Sequence, residues 1–333
     1  MDIGVLKQLI EESYDIKAIE LEKVKNVYRI KTKDEDYCLK VIKYNFPHFY
    51  FILSAIKHLQ SNGFDKVPEI INTVSGVDYI NIDNFNAYLT KWINARECNY
   101  DNPIDVSNAA IKLADLHNKS EGFKVSNQMQ PRVYWYKWLK HFAARKDEIL
   151  DFRRRIEEKD EKSEFDYMYY SIMEEELNRA DKAIENLIKS DYIEKIHEDI
   201  IRSGFCHHDY AHHNVLIEDK GRINIIDFDY CILDTNLHDL SSLLLRAMKN
   251  GKWDMDEAIK IIDSYSTVKM VLKRDIPIMA AFMEYPQDYW QVGIQYYWEE
   301  QPWGEDFFIK KLKKTIEDRE QKQEFIEDFR NIK

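Results

Sequence analysis

Apolar residues follow two different periods along this chain, and the change from one to the other divides it. Residues 5–13 carry apolar side chains three and four apart, which predicts a helix. Three short runs, 18–23, 27–31 and 37–43, read instead as strands, the last two separated by the turn-like Lys33-Asp34-Glu35-Asp36, so an antiparallel set is expected. Residues 47–61 return to helical spacing. Pro47 suits the first turn of that helix and Gly63 its C-terminal end. Two further strands, near 76–82 and 87–93, complete a lobe of five strands and one helix, and the polar stretch 94–105, with Pro103, closes it.

Beyond that boundary the helical period dominates, over 106–119, 133–159, 165–189 and a shorter segment to 202. Two strand-like runs interrupt, 215–217 and 223–228, joined by Asp219-Lys220-Gly221, before helices resume at 238 and continue to the C-terminus. The expected class is α+β: a small antiparallel-sheet lobe over 1–93 and a large, mainly helical lobe over 94–333. Within the second, residues from about 124 to 203 form a helical insertion. Tyr134, Trp135, Trp138, Tyr167, Tyr169 and Tyr170 recur on it, which marks a packed element rather than a linker.

The composition narrows the function. The 333 residues hold only nine glycines, none close enough together to build GxGxxG or GxxxxGK[ST], so neither a dinucleotide fingerprint nor a Walker loop is present. Asp and Glu number 60 against 48 Lys and Arg, for a net charge of −12. That balance argues against nucleic-acid partners, which need clustered cations. The one dense basic run, Arg153-Arg154-Arg155, runs straight into Glu157 and Glu158 and reads as a solvated helix face. Cys38, Cys98, Cys206 and Cys231 form no CxxC pair, which suits reduced thiols in a cytoplasmic protein. The N-terminus lacks the apolar run of a signal peptide, and no stretch has the length of a membrane span.

The chemistry concentrates between Gly204 and Leu240. His207-x-Asp209 is followed five residues later by Asn214, then by the strand pair, then by Asp227. A loop carrying Asp209 and Asn214, with a hairpin returning Asp227 beside it, can turn one carboxylate to a substrate hydroxyl. An amide oxygen and a second carboxylate then remain for a hard divalent cation. The competing reading is a metal-dependent hydrolase in which His208 and His212 form a HExxH-like pair. That reading requires both histidines on one helix, and the segment offers little room for one.

The order HxDxxxxN, strand pair, Asp resembles the kinase catalytic and metal-binding motifs. It is more similar to the aminoglycoside phosphotransferase and choline kinase group, in which the second motif lacks a glycine and a further Asp-Leu follows, here Asp239-Leu240 with Asp234 before it. The resemblance implies a two-lobe protein-kinase-like fold that uses ATP and Mg²⁺. In it Asp209 is the catalytic base, Asn214 and Asp227 are metal ligands, and His207 and Asp239 brace the loop. Lys40, on the third strand, is the ammonium for the ATP phosphates, with Cys38 on the same face. The hinge falls at Lys91-Trp92-Ile93, where adenine bonds the carbonyl of Lys91 and the amide of Ile93; as plain residues, Lys40 reads as a solvated strand lysine and Trp92 as core.

Within that group, CHHDYAHHNVLI, IIDFDYC, HDLSSLLLRAMK and YPQDYWQVGIQYYWEE together resemble the CotS family of spore coat proteins over nearly the whole chain. That resemblance implies production in the mother cell during sporulation, with incorporation in the spore coat and other coat proteins as partners. It implies phosphoryl transfer to a hydroxyl of a small molecule, sugar or coat component. The alternative is a kinase-like structural protein of the coat without turnover. Two departures favour that alternative: no Asp or Glu occurs between Asn45 and Asn62, and no glycine between Gly4 and Gly63. The aromatics from Tyr285 to Trp303 read first as helix packing, and second as a wall that holds a cationic acceptor by cation–π contact.

Overall fold

The computed structural model describes residues 3–332, which divide into two compact units. The first comprises 3–99, 115–133 and 203–233; the second comprises 100–114, 134–202 and 234–332.

In the first unit α1 (Ile3–Tyr14) buries Leu6, Ile10 and Tyr14, the helical face expected from their spacing. A meander follows: β1 (Glu20–Val24), β2 (Val27–Lys31) and β3 (Asp36–Ile42), each antiparallel to the last. Helix α2 (Phe46–Ser61) has Asn45 as its N-cap, the side chain accepting from the His48 amide, and Pro47 stands in its first turn. It ends just before Gly63, whose φ of 78° is the left-handed conformation that glycine tolerates best. β4 (Ile70–Ile71), β5 (Ile80–Ile82) and β6 (Phe85–Lys91) complete the sheet, with β6 central between β3 and β4 and also paired to β5. Four of the five expected strands lie within two residues of their predicted bounds. The fifth, near 76–82, shrinks to three residues because Ser75-Gly76 is turn.

Leu6, Ile10, Ile30, Leu39, Ala87 and Leu89 close a core between α1 and one face of this sheet. A second small sheet holds the strand pair found in the sequence: β7 (Arg96–Glu97), then β8 (Val215–Ile217) and β9 (Ile223–Ile225). Helix α3 (Pro103–Ser120) contributes residues to both units.

The second unit is helical: α4 (Trp138–Glu157), α5 (Glu164–Lys189), α6 (Tyr192–Arg202), α7 (Leu237–Met248), α8 (Met255–Ser266), α9 (Asp275–Glu284), α10 (Gln287–Tyr297), α11 (Glu305–Glu317) and α12 (Arg319–Arg330). Ser163 and Asp166 form a capping box at the start of α5, which fixes the turn after α4. The aromatic residues of this region are core. Phe152, Phe165, Tyr169, Tyr289, Tyr297 and Phe308 form one buried cluster among α4, α5, α10 and α11. Tyr169 and Tyr289 stack at 4.1 Å, and each hydroxyl donates to the other's backbone carbonyl. For these residues the packing reading of the sequence holds. Gly293 makes the approach of α10 possible: a Cβ there would lie 2.8 Å from the Phe152 ring.

Candidate functional site

A cavity of about 600 Å³ opens in the first unit beside the sheet, with Lys40, Tyr88, Asn214 and Asp227 among its lining residues. Strand geometry builds one wall. In β3 the side chains of Cys38 and Lys40 share a face, and the register sets Lys40 opposite Tyr88 and Cys38 opposite Thr90 on β6. Residues 91–93, at the end of β6, continue the wall. There the Trp92 amide donates to the Asp36 carbonyl at 2.8 Å, and the Arg29 guanidinium lies 4.8 Å from the Trp92 ring centroid. The Lys91 side chain turns outward to Glu35 at 2.6 Å.

The loop and hairpin of 207–228 make the other wall. Asn214 Nδ2 donates to the Asp209 carbonyl at 2.9 Å and to Asp209 Oδ2 at 3.2 Å, so the amide orients the carboxylate and keeps its own oxygen for another partner. The Ile226 amide donates to the Asn214 carbonyl, which ties the loop to the segment that carries Asp227. His207 is fully buried, its Nε2 2.9 Å from the Ile226 carbonyl, and therefore braces the same two segments. Asp227 leaves β9 in the left-handed region (φ 69°, ψ 66°), an uncommon conformation for a non-glycine residue outside a functional turn. The reversal ends the strand and sends the chain into a 3₁₀ turn, Phe228–Tyr230.

Lys40 joins the two walls. Its ammonium, on a side chain only 8% exposed, lies 2.6 Å from Asp227 Oδ1 and 2.8 Å from Asp229 Oδ1. Burial works against the charged amine, but the Tyr88 hydroxyl and the two carboxylates outweigh it and hold the Lys40 pKa above its ordinary value. Burial also opposes charge on both acids. Asp227, bonded to Lys40, nevertheless ends below the usual carboxylate range, while Asp229, facing Asp227, ends above it. Burial pushes the Cys38 thiol up to about 11, so it is a neutral wall residue.

Lys40 is the one cation in ion-pair contact with either acid among the described residues, while Arg132 attracts Asp229 from farther off. The donors nearby, the carboxylate of Asp227 and the amide oxygen of Asn214, are the hard oxygens that magnesium takes. The residues fit such an ion.

Lys40, Asn214 and Asp227 thus meet at one cavity, with Asp209 held against Asn214. Asp239 lies in the second unit, fully buried in the first turn of α7. At the turn between β1 and β2, Lys25 takes the left-handed conformation (φ 50°) and pairs with Glu97 at 3.3 Å, both exposed. The hydrolase reading fails on backbone grounds. His208 itself is left-handed (φ 69°), and only a three-residue 3₁₀ turn, His212–Asn214, follows, so the two histidines share no helix. Asp229 is the site residue that the sequence reading missed; the signal was the second acid in Ile226-Asp227-Phe228-Asp229.

This fold is that of the protein-kinase-like small-molecule phosphotransferases. An aminoglycoside phosphotransferase from Alicyclobacillus acidocaldarius superposes with a TM-score of 0.84 at 21% identity, over 97% of this chain and 95% of that one. The AMP complex of spectinomycin phosphotransferase gives 0.73 at 18%, over 98% of both chains, and a microcompartment-associated aminopropanol kinase 0.64 at 13%, over 99% of both. No protein of curated function matches the sequence. The family described as "Spore coat putative kinase YutH" matches residues 7–329, and the chain belongs to it. The CotS-like resemblance read from the motifs is thereby met.

Proposed function

We propose that this protein is an ATP- and magnesium-dependent phosphotransferase of the spore coat, moving the γ-phosphoryl group of ATP to a hydroxyl. The observation that carries the reading is the convergence of Lys40, Asn214 and Asp227 on one cavity, with Asp209 bonded to Asn214. Magnesium, held by Asp227 and the Asn214 amide oxygen, would neutralise charge on the phosphates. Asp209 orients the acceptor hydroxyl and takes its proton as the oxygen attacks phosphorus and ADP departs. Asn214 keeps that carboxylate in place from the side opposite its metal-binding oxygen. Lys40 meets the α and β phosphates, and Lys91 and Ile93 offer a backbone carbonyl and amide to adenine. His207 braces the loop from within, and Asp239 is proposed as a second brace.

The acceptor is a small molecule or carbohydrate bearing a hydroxyl, with an amine as a further recognition group. Support for this class comes from the fold's neighbours, which by name include aminoglycoside phosphotransferases and an aminopropanol kinase. No nucleic acid or membrane enters the reading, and no helix among the described residues is long and apolar enough to cross a membrane. The protein acts in the mother cell and is carried into the coat beside other coat proteins. Magnesium-dependent ADP release, screened over amino-alcohols and amino sugars, tests the reading. Stimulation by one of these that is lost in Asp209→Asn supports it, and ADP release indifferent to acceptor and to Asp209 refutes it.

A further inference from the structure

In kinase-type sites the phosphate-binding lysine is held by an acidic residue on the helix beside it. Helix α2 cannot supply one, because no Asp or Glu occurs from residue 45 to residue 62. Yet a buried ammonium requires a counter-charge, since desolvating it alone is costly. Two carboxylates reach Lys40, and they differ in what else they can do. Asp227 lines the cavity, and the proposed chemistry commits it to a cation. Asp229 does not line the cavity, and its side chain is the less exposed of the two, 22% against 34%.

Its turn is also fixed independently of any ligand. The Cys231 amide closes the turn on the Phe228 carbonyl at 2.9 Å. The Arg132 guanidinium lies over the rings of Tyr44 and Tyr230, at 4.9 and 5.5 Å, and the Leu233 amide donates to the Arg132 carbonyl.

We propose that Asp229 is the positioning residue for Lys40, replacing from the 3₁₀ turn the acid that helix α2 lacks. When Asp227 turns to a cation, Asp229 keeps the ammonium aimed at the phosphates. This rests on the phosphotransferase reading above, and the experiment separates the two. A fluorescent ATP analogue is titrated in magnesium against wild type, Lys40→Met, Asp229→Asn, Asp229→Glu and the Lys40→Met/Asp229→Asn double variant. Asp229→Asn should weaken binding about tenfold, Asp229→Glu should recover part of it, and the double variant should bind no worse than Lys40→Met alone, as expected for residues that act as one unit. The magnesium concentration for half-maximal binding should stay within about twofold of wild type. Losses that multiply in the double variant, or an Asp229→Asn effect expressed only as a higher magnesium requirement, overturn the proposal and make Asp229 an independent or metal-binding group.

If wild type binds no nucleotide, the phosphotransferase reading falls, and melting temperatures without nucleotide decide this one. The change caused by Asp229→Asn should be more favourable in the Lys40→Met background than in wild type, because there it relieves repulsion from Asp227. Equal changes in both backgrounds refute the pairing.

Discussion

Lys40 Nζ and Asp227 Oδ1 lie 2.6 Å apart although 187 residues separate them in the chain. The contact joins β3 to the turn after β9, the two segments that carry the proposed nucleotide lysine and the proposed metal ligand, and it makes each side chain's charge depend on the other. Replacing Lys40 by methionine leaves Asp227 and Asp229 facing each other. We expect turnover to fall about a hundredfold, the scale of removing one preorganised group that stabilises developing charge. The same variant should melt lower at neutral pH. Lys40 draws the Asp227 pKa down, so the stability from this pair is present above the carboxylate's unfolded value and is lost as pH falls through its folded one. The melting temperatures of wild type and Lys40→Met should therefore converge on acidification below about pH 4. A difference that widens on acidification would refute this assignment.

The Asn214 amide nitrogen bonds Asp209 twice, and its oxygen is the proposed magnesium ligand. Asn214→Ala removes both hydrogen bonds to Asp209, a stability cost of about 1 kcal/mol or slightly more, and removes a proposed magnesium ligand. Titration of activity against magnesium should show a raised half-saturating concentration as well as a lower maximum. A lower maximum alone would leave Asn214 as an orienting residue only.

Asp234 offers a separate pH test in the helical unit. Burial pushes its carboxyl up to about 6, although the Trp138 indole donates to Oδ2 at 2.8 Å. A raised folded pKa means that its contribution to stability is fully present below the unfolded value, about 3.9, and is lost as pH rises through about 6. The span is on the order of 3 kcal/mol. Asp234→Asn keeps an acceptor for Trp138 and removes the titration, so denaturant midpoints of the variant should fall less between pH 4 and 7 than those of wild type. Parallel curves would contradict this.

Gly293 is the tightest point of the aromatic core. Gly293→Ala puts a methyl group against the Phe152 ring and the Tyr169 hydroxyl, and overpacking of this kind costs about 1–3 kcal/mol. Chemical denaturation should report the loss, while activity per folded molecule stays near wild type.

Much of this was legible in the sequence because the signals are local. The meander through β3 and helix α2, with Pro47 in its first turn and Gly63 beyond its end, are each set by residues within a few positions. The placement of Asp209 beside Asn214, and of Asn214 and Asp227 at one cavity, was also readable, since loop and hairpin spacing brings these residues together. What escaped is long-range or short. β4 has two residues and no periodicity to detect. Aspartate enters the left-handed region more readily than most residues, but nothing local requires that conformation at Asp227. The pairing of Lys40 with Asp229 depends on tertiary folding, which no local pattern in the sequence reports.

In the proposed function this cavity binds nucleotide through magnesium. The most direct measurement is the melting temperature of wild type and Asp227→Asn with ATP, in magnesium and in EDTA, because a ligand that binds only the native state must raise it. Wild type in magnesium should rise by several degrees at millimolar ATP, with little or no rise in EDTA and little or none for Asp227→Asn in either, given that about 1 kcal/mol moves the melting point of a 333-residue chain by roughly 1–2 °C. No shift for wild type, or an equal shift for the variant, would contradict it.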